Sequence, residues 1–408
     1  MKIFEMLKKC KGAYIDLRYC DLNDDNISIV LKSIKQNDCI TSLDLRDNNL
    51  TSKSLFYIFN VLGNKFSQCI EEIYLGYNKF CALAENINTW TEISFCKLKV
   101  LTINDNQLLS EDLDIWANFI VKQKKLQHLD ISCNNLDESS VQTITNIVKQ
   151  NQYLESLYLS YNPKINGKIA PLGQIIGNHK KLKTLYVRCL NLGDEGCDLL
   201  TKTLSNNKSL KTLNLGDNSI TNTGFASICE NLKKNTTLEC LNLGRNLLTP
   251  NAMLILANFL QTNTTVNKYN LGKNEIGDTG LQVLAQNVLH QKLPIKMFNL
   301  RDNAITDAGV DSLILFLEQL PILENINVCD NAISSSKILF LHTVLKRKKF
   351  IKFMYVDGNV LDKQAIKELT YVSPIVVPFL KDRSEIFCLQ EEAQKSIDNL
   401  VKINANYY

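Results

Sequence analysis

The chain has 408 residues, 45% of them hydrophobic, which allows a sizeable core and excludes a disordered chain. Lysine and arginine exceed aspartate and glutamate by 46 − 42 = 4, so net charge gives no pull toward nucleic acid or an anionic membrane. Seven prolines exclude proline-rich architectures, whereas 46 asparagines form an excess that needs a structural place.

Residues 1–11 carry Lys2, Glu5, Lys8, Lys9 and Lys11, which interrupt any apolar run of the kind a secretory signal needs. Ile3, Phe4 and Leu7 fall at helical spacing and predict a short N-terminal cap. From residue 12 to about 370 a motif LxxLxLxxNxL recurs, as in LKTLNLGDNSI (210–220), LECLNLGRNLL (238–248) and IKMFNLRDNAI (295–305). Its asparagine falls at Asn48, Asn78, Asn106, Asn134, Asn162, Asn218, Asn246, Asn274, Asn303, Asn331 and Asn359, with a period of 28 residues apart from one 30 and one 29. The register puts Cys20 and Leu190 in the two slots without asparagine, so thirteen repeats are expected.

Each repeat reads as a strand followed by a helix. The LxL alternation is a short strand with its leucines on one side, and the asparagine suits the turn that leaves it. Apolar residues then recur at i, i+3, i+4 and i+7, as in Leu55, Ile58, Phe59 and Leu62, or Phe225, Ile228, Cys229 and Leu232. A unit this small cannot bury both elements alone, and parallel stacking buries them continuously. The expected fold is therefore an α/β curved solenoid (a horseshoe) with parallel strands on the concave face and helices on the convex face. The repeat at 71–98 departs from the pattern, with Glu85 and Asn88 at core positions, so Ile87, Trp90 and Ile93 are expected to supply its core. NPKING (162–167) strains the turn after Asn162.

Residues 371–378 are expected to be extended because Pro374 and Pro378 forbid a helix interior. Ile386, Leu389, Ala393, Ile397 and Leu400 predict a helix that completes a C-terminal cap and tail, 371–408. No run approaches the 18 apolar residues of a membrane span. Thirteen scattered cysteines without CxxC pairing point to reduced thiols and a reducing, cytosolic compartment.

These repeats resemble the leucine-rich repeats of the ribonuclease-inhibitor type, most clearly in NEIGDTGLQVLAQNV (274–288) and NAITDAGVDSLILFL (303–317). That family includes ribonuclease inhibitor, the Ran GTPase-activating protein and the sensor arms of NOD-like receptors. The resemblance implies the horseshoe and a non-enzymatic, protein-binding role without cofactor or metal. The tail pair Glu391 and Glu392 resembles the translocation signal of type IV-secreted effectors of Legionella-like intracellular bacteria. That likeness implies delivery into a host cytoplasm and a host protein as partner. The alternative reading is a regulator of a small GTPase resembling the Ran GTPase-activating protein, although the tail here is mixed in charge rather than strongly acidic.

In such a fold the strand residues between the leucines line the concave side. The candidate partner-binding residues are Tyr14, Asp16, Arg18, Tyr19, Asp44, Arg46, Tyr74, Tyr77, His128, Asp130, Tyr158, Tyr161, Tyr186 and Arg188. Tyrosine and arginine are the residues that anchor protein interfaces, although the rings could equally pack on each other along adjacent strands. Further on, Asn214, Asn242, Asn270, Asn299 and Asn327 form a ladder that could bond a partner or the neighbouring strands. Lysines near the helix C-termini, among them Lys124, Lys125, Lys180 and Lys181, suit the helix dipole and leave room for an acidic partner there. No phosphate loop, HExxH or GxSxG occurs, and the 38 or so residues after the repeats are too few for a catalytic domain.

Overall fold

In a computed structural model, the structure describes residues 13–82, 90–372 and 376–377. The chain divides into two compact units, Met1–Leu210 and Lys211–Tyr408. The expected cap at 1–11, Ile87, and the expected helix beyond residue 378 lie outside the described residues.

The described residues of the first unit form seven strands: β1 Tyr14–Asp16, β2 Ser42–Asp44, β3 Glu72–Tyr74, β4 Val100–Thr102, β5 His128–Asp130, β6 Ser156–Tyr158 and β7 Thr184–Tyr186. Each pairs in parallel with the next, residue for residue, so Ile15 lies beside Leu43 and Leu157 beside Leu185. Between them run α1 Ile27–Ile34, α2 Ser52–Phe66, α3 Ser110–Ile120, α4 Ser140–Gln150, α5 Ala170–Asn178 and, after β7, α6 Gly193–Lys202. The second unit repeats the scheme with β8 Thr212–Asn214, β9 Cys240–Asn242, β10 Lys268–Asn270, β11 Met297–Asn299, β12 Asn325–Asn327, β13 Phe353–Tyr355 and β14 Val376–Val377, again all parallel. Its helices are α7 Asn222–Leu232, α8 Ala252–Leu260, α9 Gly277–Asn287, α10 Asp307–Glu318, α11 Ser335–Leu345 and α12 Lys363–Val372. The architecture in each unit is the α/β solenoid of strand–helix repeats that the periodicity implies.

The leucines of each strand and the apolar stripe of each helix meet in one continuous core per unit. Leu55, Ile58, Phe59, Leu62, Phe225, Ile228 and Leu232 are all fully buried. Burying a side chain of this size contributes about 1.5–3 kcal/mol, and each repeat buries several.

The repeat asparagine ties one repeat to the next. Asn246 Oδ1 accepts from the backbone N–H of Asn218 and of Ile220, both at 3.0 Å, while its Nδ2 donates to the carbonyls of Leu215 (3.1 Å) and Leu243 (2.9 Å). Asn48, Asn106, Asn134 and Asn331 bond in the same way. To accept those bonds the residue just before the slot turns into the left-handed region in every described repeat, from Tyr19 at φ 54° to Gly358 at φ 71°. For any residue but glycine, asparagine or aspartate that conformation costs roughly 1 kcal/mol.

A second ladder closes the other side of each repeat, and it lies among asparagines that sequence alone leaves as scattered composition. Asn207 Oδ1 accepts from Ser209 N (2.9 Å) and Leu210 N (2.7 Å), while Nδ2 donates to Ile176 O at 3.0 Å. Asn263 accepts from Thr265 N and Val266 N, both at 3.0 Å, and donates to Leu232 O and Asn235 O. Gln123 and His179 occupy equivalent places. His179 Nδ1 accepts from Leu182 N at 3.0 Å, and its Nε2 lies 3.3 Å from Asn151 O.

Three local departures follow from sequence. Pro163–Ile165 forms a 3-10 turn and Asn166 is left-handed, which delays α5 to Ala170. In the irregular repeat Trp90 is buried but Ile93 only partly, and Phe95 supplies the missing core residue. Trp90 stacks on Phe59 (5.0 Å) and meets Trp116 edge-on (4.7 Å), so aromatic rings fill the core beside the irregular sequence. The segment expected to be extended from 371 remains helical through Val372, because Pro374 constrains only its own residue and the one before it. No described helix is long and apolar enough to cross a membrane.

Candidate functional site

The backbone at the end of each strand leaves an N–H two residues past the strand's last side chain. Asx residues at that place cap it. Asp16 Oδ1 accepts from Arg18 N (3.1 Å), Asp44 from Arg46 N (3.1 Å) and Asp130 from Ser132 N (2.9 Å). In the second unit Asn214, Asn242, Asn270, Asn299 and Asn327 do the same for Gly216, Gly244, Gly272, Arg301 and Cys329, at 2.9–3.0 Å. Asn299 Nδ2 also donates to Asn270 Oδ1 at 2.9 Å. The asparagine ladder is thus buried, with its acceptors engaged within the chain, and it presents little to a partner.

Tyr74, Tyr158 and Tyr186 stand in this same position in the first unit, and a tyrosine cannot make that bond because its oxygen lies at the far end of the ring. Tyr19, Tyr77 and Tyr161 stand in the left-handed position before the slot, at φ 54°, 56° and 61°. Neither place favours tyrosine on backbone grounds.

The fourteen residues expected on this face sort into three groups. In the first, Arg18 reaches Asp16 through Nη2 at 3.0 Å and Asp44 through Nε at 3.4 Å, while Arg46 binds Asp44 through Nε at 3.0 Å and Nη2 at 2.5 Å. Asp44 is 0% exposed, which corrects its place among the presented residues: it is the buried counter-ion that aims two guanidinium groups. Arg46 lies over the Tyr74 ring, 4.9 Å from its centroid. Burial and then the nearby charge of Glu72 raise the Tyr74 hydroxyl well above its usual range. Tyr14, 39% exposed, is pushed up to about 12 by burial and by Asp44 and Asp16. Tyr19 is the most open, at 70%, and lies near Asp47, whose own carboxyl is raised by partial burial.

The second group centres on Tyr77, 48% exposed, with Cys133, Asp105, Asp47 and Asp130 around it. Beside it a Cβ at Gly76 would lie 2.2 Å from the Asn104 side-chain oxygen, so any larger residue there has to displace Asn104. His128 and Asp130 are half-buried on β5, and desolvation raises the Asp130 carboxyl above its usual range against its bonds from Ser132. In the third group Tyr158 and Tyr186 stack with centroids 5.0 Å apart, and Arg188 lies 5.1 Å over the Tyr161 ring. Mutual packing therefore holds for one tyrosine pair, while Tyr14, Tyr19 and Tyr77 keep open rings. Among the described residues no cluster of histidine, cysteine or carboxylates could hold a metal ion.

The lysine rim is partly occupied. Lys122 binds Glu92 (2.6 Å), Lys125 lies 5.4 Å over the Tyr153 ring, and Lys348 donates to Leu320 O at 3.2 Å. Lys124, Lys180 and Lys181 are exposed.

A family profile described as Leucine Rich repeat matches residues 36–59, 206–229, 262–285 and 295–313, and a second, Leucine Rich Repeat, matches 125–147. No curated protein matches the sequence. Among solved structures, the chain is similar to one in the Rad7 and Elc1 complex of yeast, at 17% identity and TM-score 0.54, over 88% of this chain and 84% of that one. It is also similar to TLR13 in its complex with ssRNA13, at 16% identity and TM-score 0.53, over 88% of this chain and 52% of the other. At these identities the likeness concerns the fold.

Proposed function

We propose that this chain of leucine-rich repeats is a protein-binding scaffold whose partner sits on the strand face of the first unit, between Tyr14 and Arg188. One observation carries the reading. Six tyrosines occupy two backbone positions that favour aspartate, asparagine or glycine, so their presence serves something other than the scaffold. Together with Arg18, Arg46 and Arg188 they supply rigid, amphipathic anchors of the kind that dominate interface energetics. The ion pairs to Asp16 and Asp44 and the cation–π contacts orient those anchors before binding, which lowers the ordering cost of association. The two similar structures that are complexes agree with a binding role for this fold.

The repeat type of ribonuclease inhibitor, a reducing cytosolic setting and delivery into a host cell as a secreted effector belong to the same proposal. The effector reading rests on Glu391, Glu392 and the Asn-, Lys- and Ile-rich composition, and a translocation reporter fused to the chain, with both glutamates changed to alanine, tests it. Affinity capture with the triple variant Tyr74→Ala, Tyr158→Ala, Tyr186→Ala tests the binding face. Loss of the captured partner is expected. Retention by that variant, combined with loss after Lys124, Lys125, Lys180 and Lys181 become Glu, places the site on the lysine rim instead.

A further inference from the structure

Most buried cysteines here are packing residues, among them Cys197, Cys229 and Cys240. Cys39 and Cys69 differ. Each lies three residues before a strand residue, Ser42 of β2 and Glu72 of β3, and those two are register partners in a parallel pair. Each also precedes a fully buried isoleucine, Ile40 or Ile70, so both backbones are anchored alike. Glu71 N and Glu72 N donate to Thr41 O at 2.7 and 3.0 Å and hold the two segments side by side. Equivalent positions of paired strands lie ~4.8 Å apart, inside the roughly 4.4–6.8 Å between Cα atoms that a disulfide spans. The two thiols are close enough to influence each other's ionisation. Cys39 is exposed and Cys69 partly so, which gives a small reagent access to both. Cys133 and Cys189 also share a column but have Tyr161 of the intervening repeat between them.

We propose that Cys39 and Cys69 are a thiol–disulfide exchange site, oxidised to an inter-repeat bridge by low-molecular-weight disulfides of the glutathione class. One cysteine thiolate attacks a sulfur of the small disulfide, a mixed disulfide forms, and a small thiolate leaves and takes up a proton. The second cysteine thiolate then attacks the protein sulfur of that mixed disulfide, closing the Cys39–Cys69 bond and expelling the second small thiol. Two protein thiols are oxidised, and one small disulfide is reduced to two thiols. The neighbouring Cys69 thiol holds the Cys39 thiol above its usual range while nearby Lys97 works the other way, so exchange quickens toward alkaline pH. The bridge would pin β2 to β3, the strands that carry Asp44 and Tyr74 and lead into Arg46, and it stands whether or not that face binds a partner.

The test is native incubation of the full chain with oxidised glutathione, acid quench and peptide mapping, alongside Cys39→Ser. The expected result is a linked Cys39–Cys69 peptide that dithiothreitol reverses, with Cys39→Ser halting at a glutathione adduct on Cys69. Separate adducts on Cys39 and Cys69 in the unsubstituted chain, or a link from Cys69 to Cys96 instead, overturn the proposal.

Discussion

Asn242 of the second unit and Tyr158 of the first occupy the same point of the same repeat, the last residue of a three-residue strand. Asn242 is buried and caps the N–H of Gly244 at 2.9 Å. Tyr158 makes no such cap and lays its ring against Tyr186. Along the second unit the scaffold's preference holds for five strands in succession and lapses at Tyr355, which packs 6.1 Å from Phe353, and at Val377 beside it in β14. Along the described residues of the first unit it is given up at four of seven strands, to tyrosine at three and to Thr102 at one, and the left-handed position is given to tyrosine at three repeats. Where both units must solve the same backbone problem, a departure in one of them marks residues retained for another reason.

The comparison assumes one ladder beneath both faces. Asn106→Ala and Asn246→Ala each strand buried backbone groups, since Asn106 accepts from Phe80 N (3.2 Å) and donates to Leu75 O (3.1 Å) much as Asn246 does in its repeat. Each substitution is expected to cost about 3 kcal/mol in urea unfolding. A large cost in one unit with none in the other breaks the claim of a common plan.

Asp44→Asn installs the second unit's residue in the first. The cap on Arg46 N survives, but two guanidinium groups lose a fully buried counter-charge. The expected loss is about 2 kcal/mol, less than for a sealed ion pair, because both arginines keep some solvent and Arg18 keeps Asp16. Unfolding curves compared with Asp44→Ala separate the charge from the cap. If Asn is as costly as Ala, the carboxylate's charge is the whole effect.

Tyr158→Asn makes the reverse exchange. An Asx cap worth about 1 kcal/mol is gained, and a ring stack worth about the same is lost. Thermal unfolding should therefore move little while partner affinity falls by about tenfold or more. A stability loss matching the affinity loss would mean that the ring holds the fold rather than the partner.

The strand–helix repeat was legible because leucine spacing and the slot asparagine recur with one period, and one residue type does one job in each repeat. The second ladder was not: Asn151, Asn207, Asn235 and Asn263 recur with the same period, but Gln123 and His179 interrupt them and no leucine motif frames the position, so they merge into the general asparagine excess. Residues of the candidate face were legible as positions but not as environments. Asp44 and Asp130 share a strand position, yet one is sealed beneath two arginines and the other half-buried near Tyr77, a difference set by residues two or three past the strand in the same and nearby repeats. The left-handed turn before the slot was hidden because tyrosine, cysteine and lysine fill it as often as aspartate does.

His179 gives the smallest and most specific test of that second ladder. Burial lowers its imidazole below the usual 6.5, and the contact with Asn151 O opposes this only in part. As pH falls through about 6.5 the unfolded chain therefore takes up a proton before the native one does, so this residue's contribution to stability is complete above that pH and is lost below it. Asparagine makes equivalent bonds at Asn207 and Asn263 without titrating. His179→Asn should accordingly leave neutral-pH stability nearly unchanged and flatten the decline of the unfolding midpoint between about pH 7 and 5. Some slope should remain from His342, which burial and Lys346 also lower. An unchanged slope would assign the acid sensitivity to other groups, and a drop at neutral pH would show that the histidine ring does more in its repeat than asparagine does in the others.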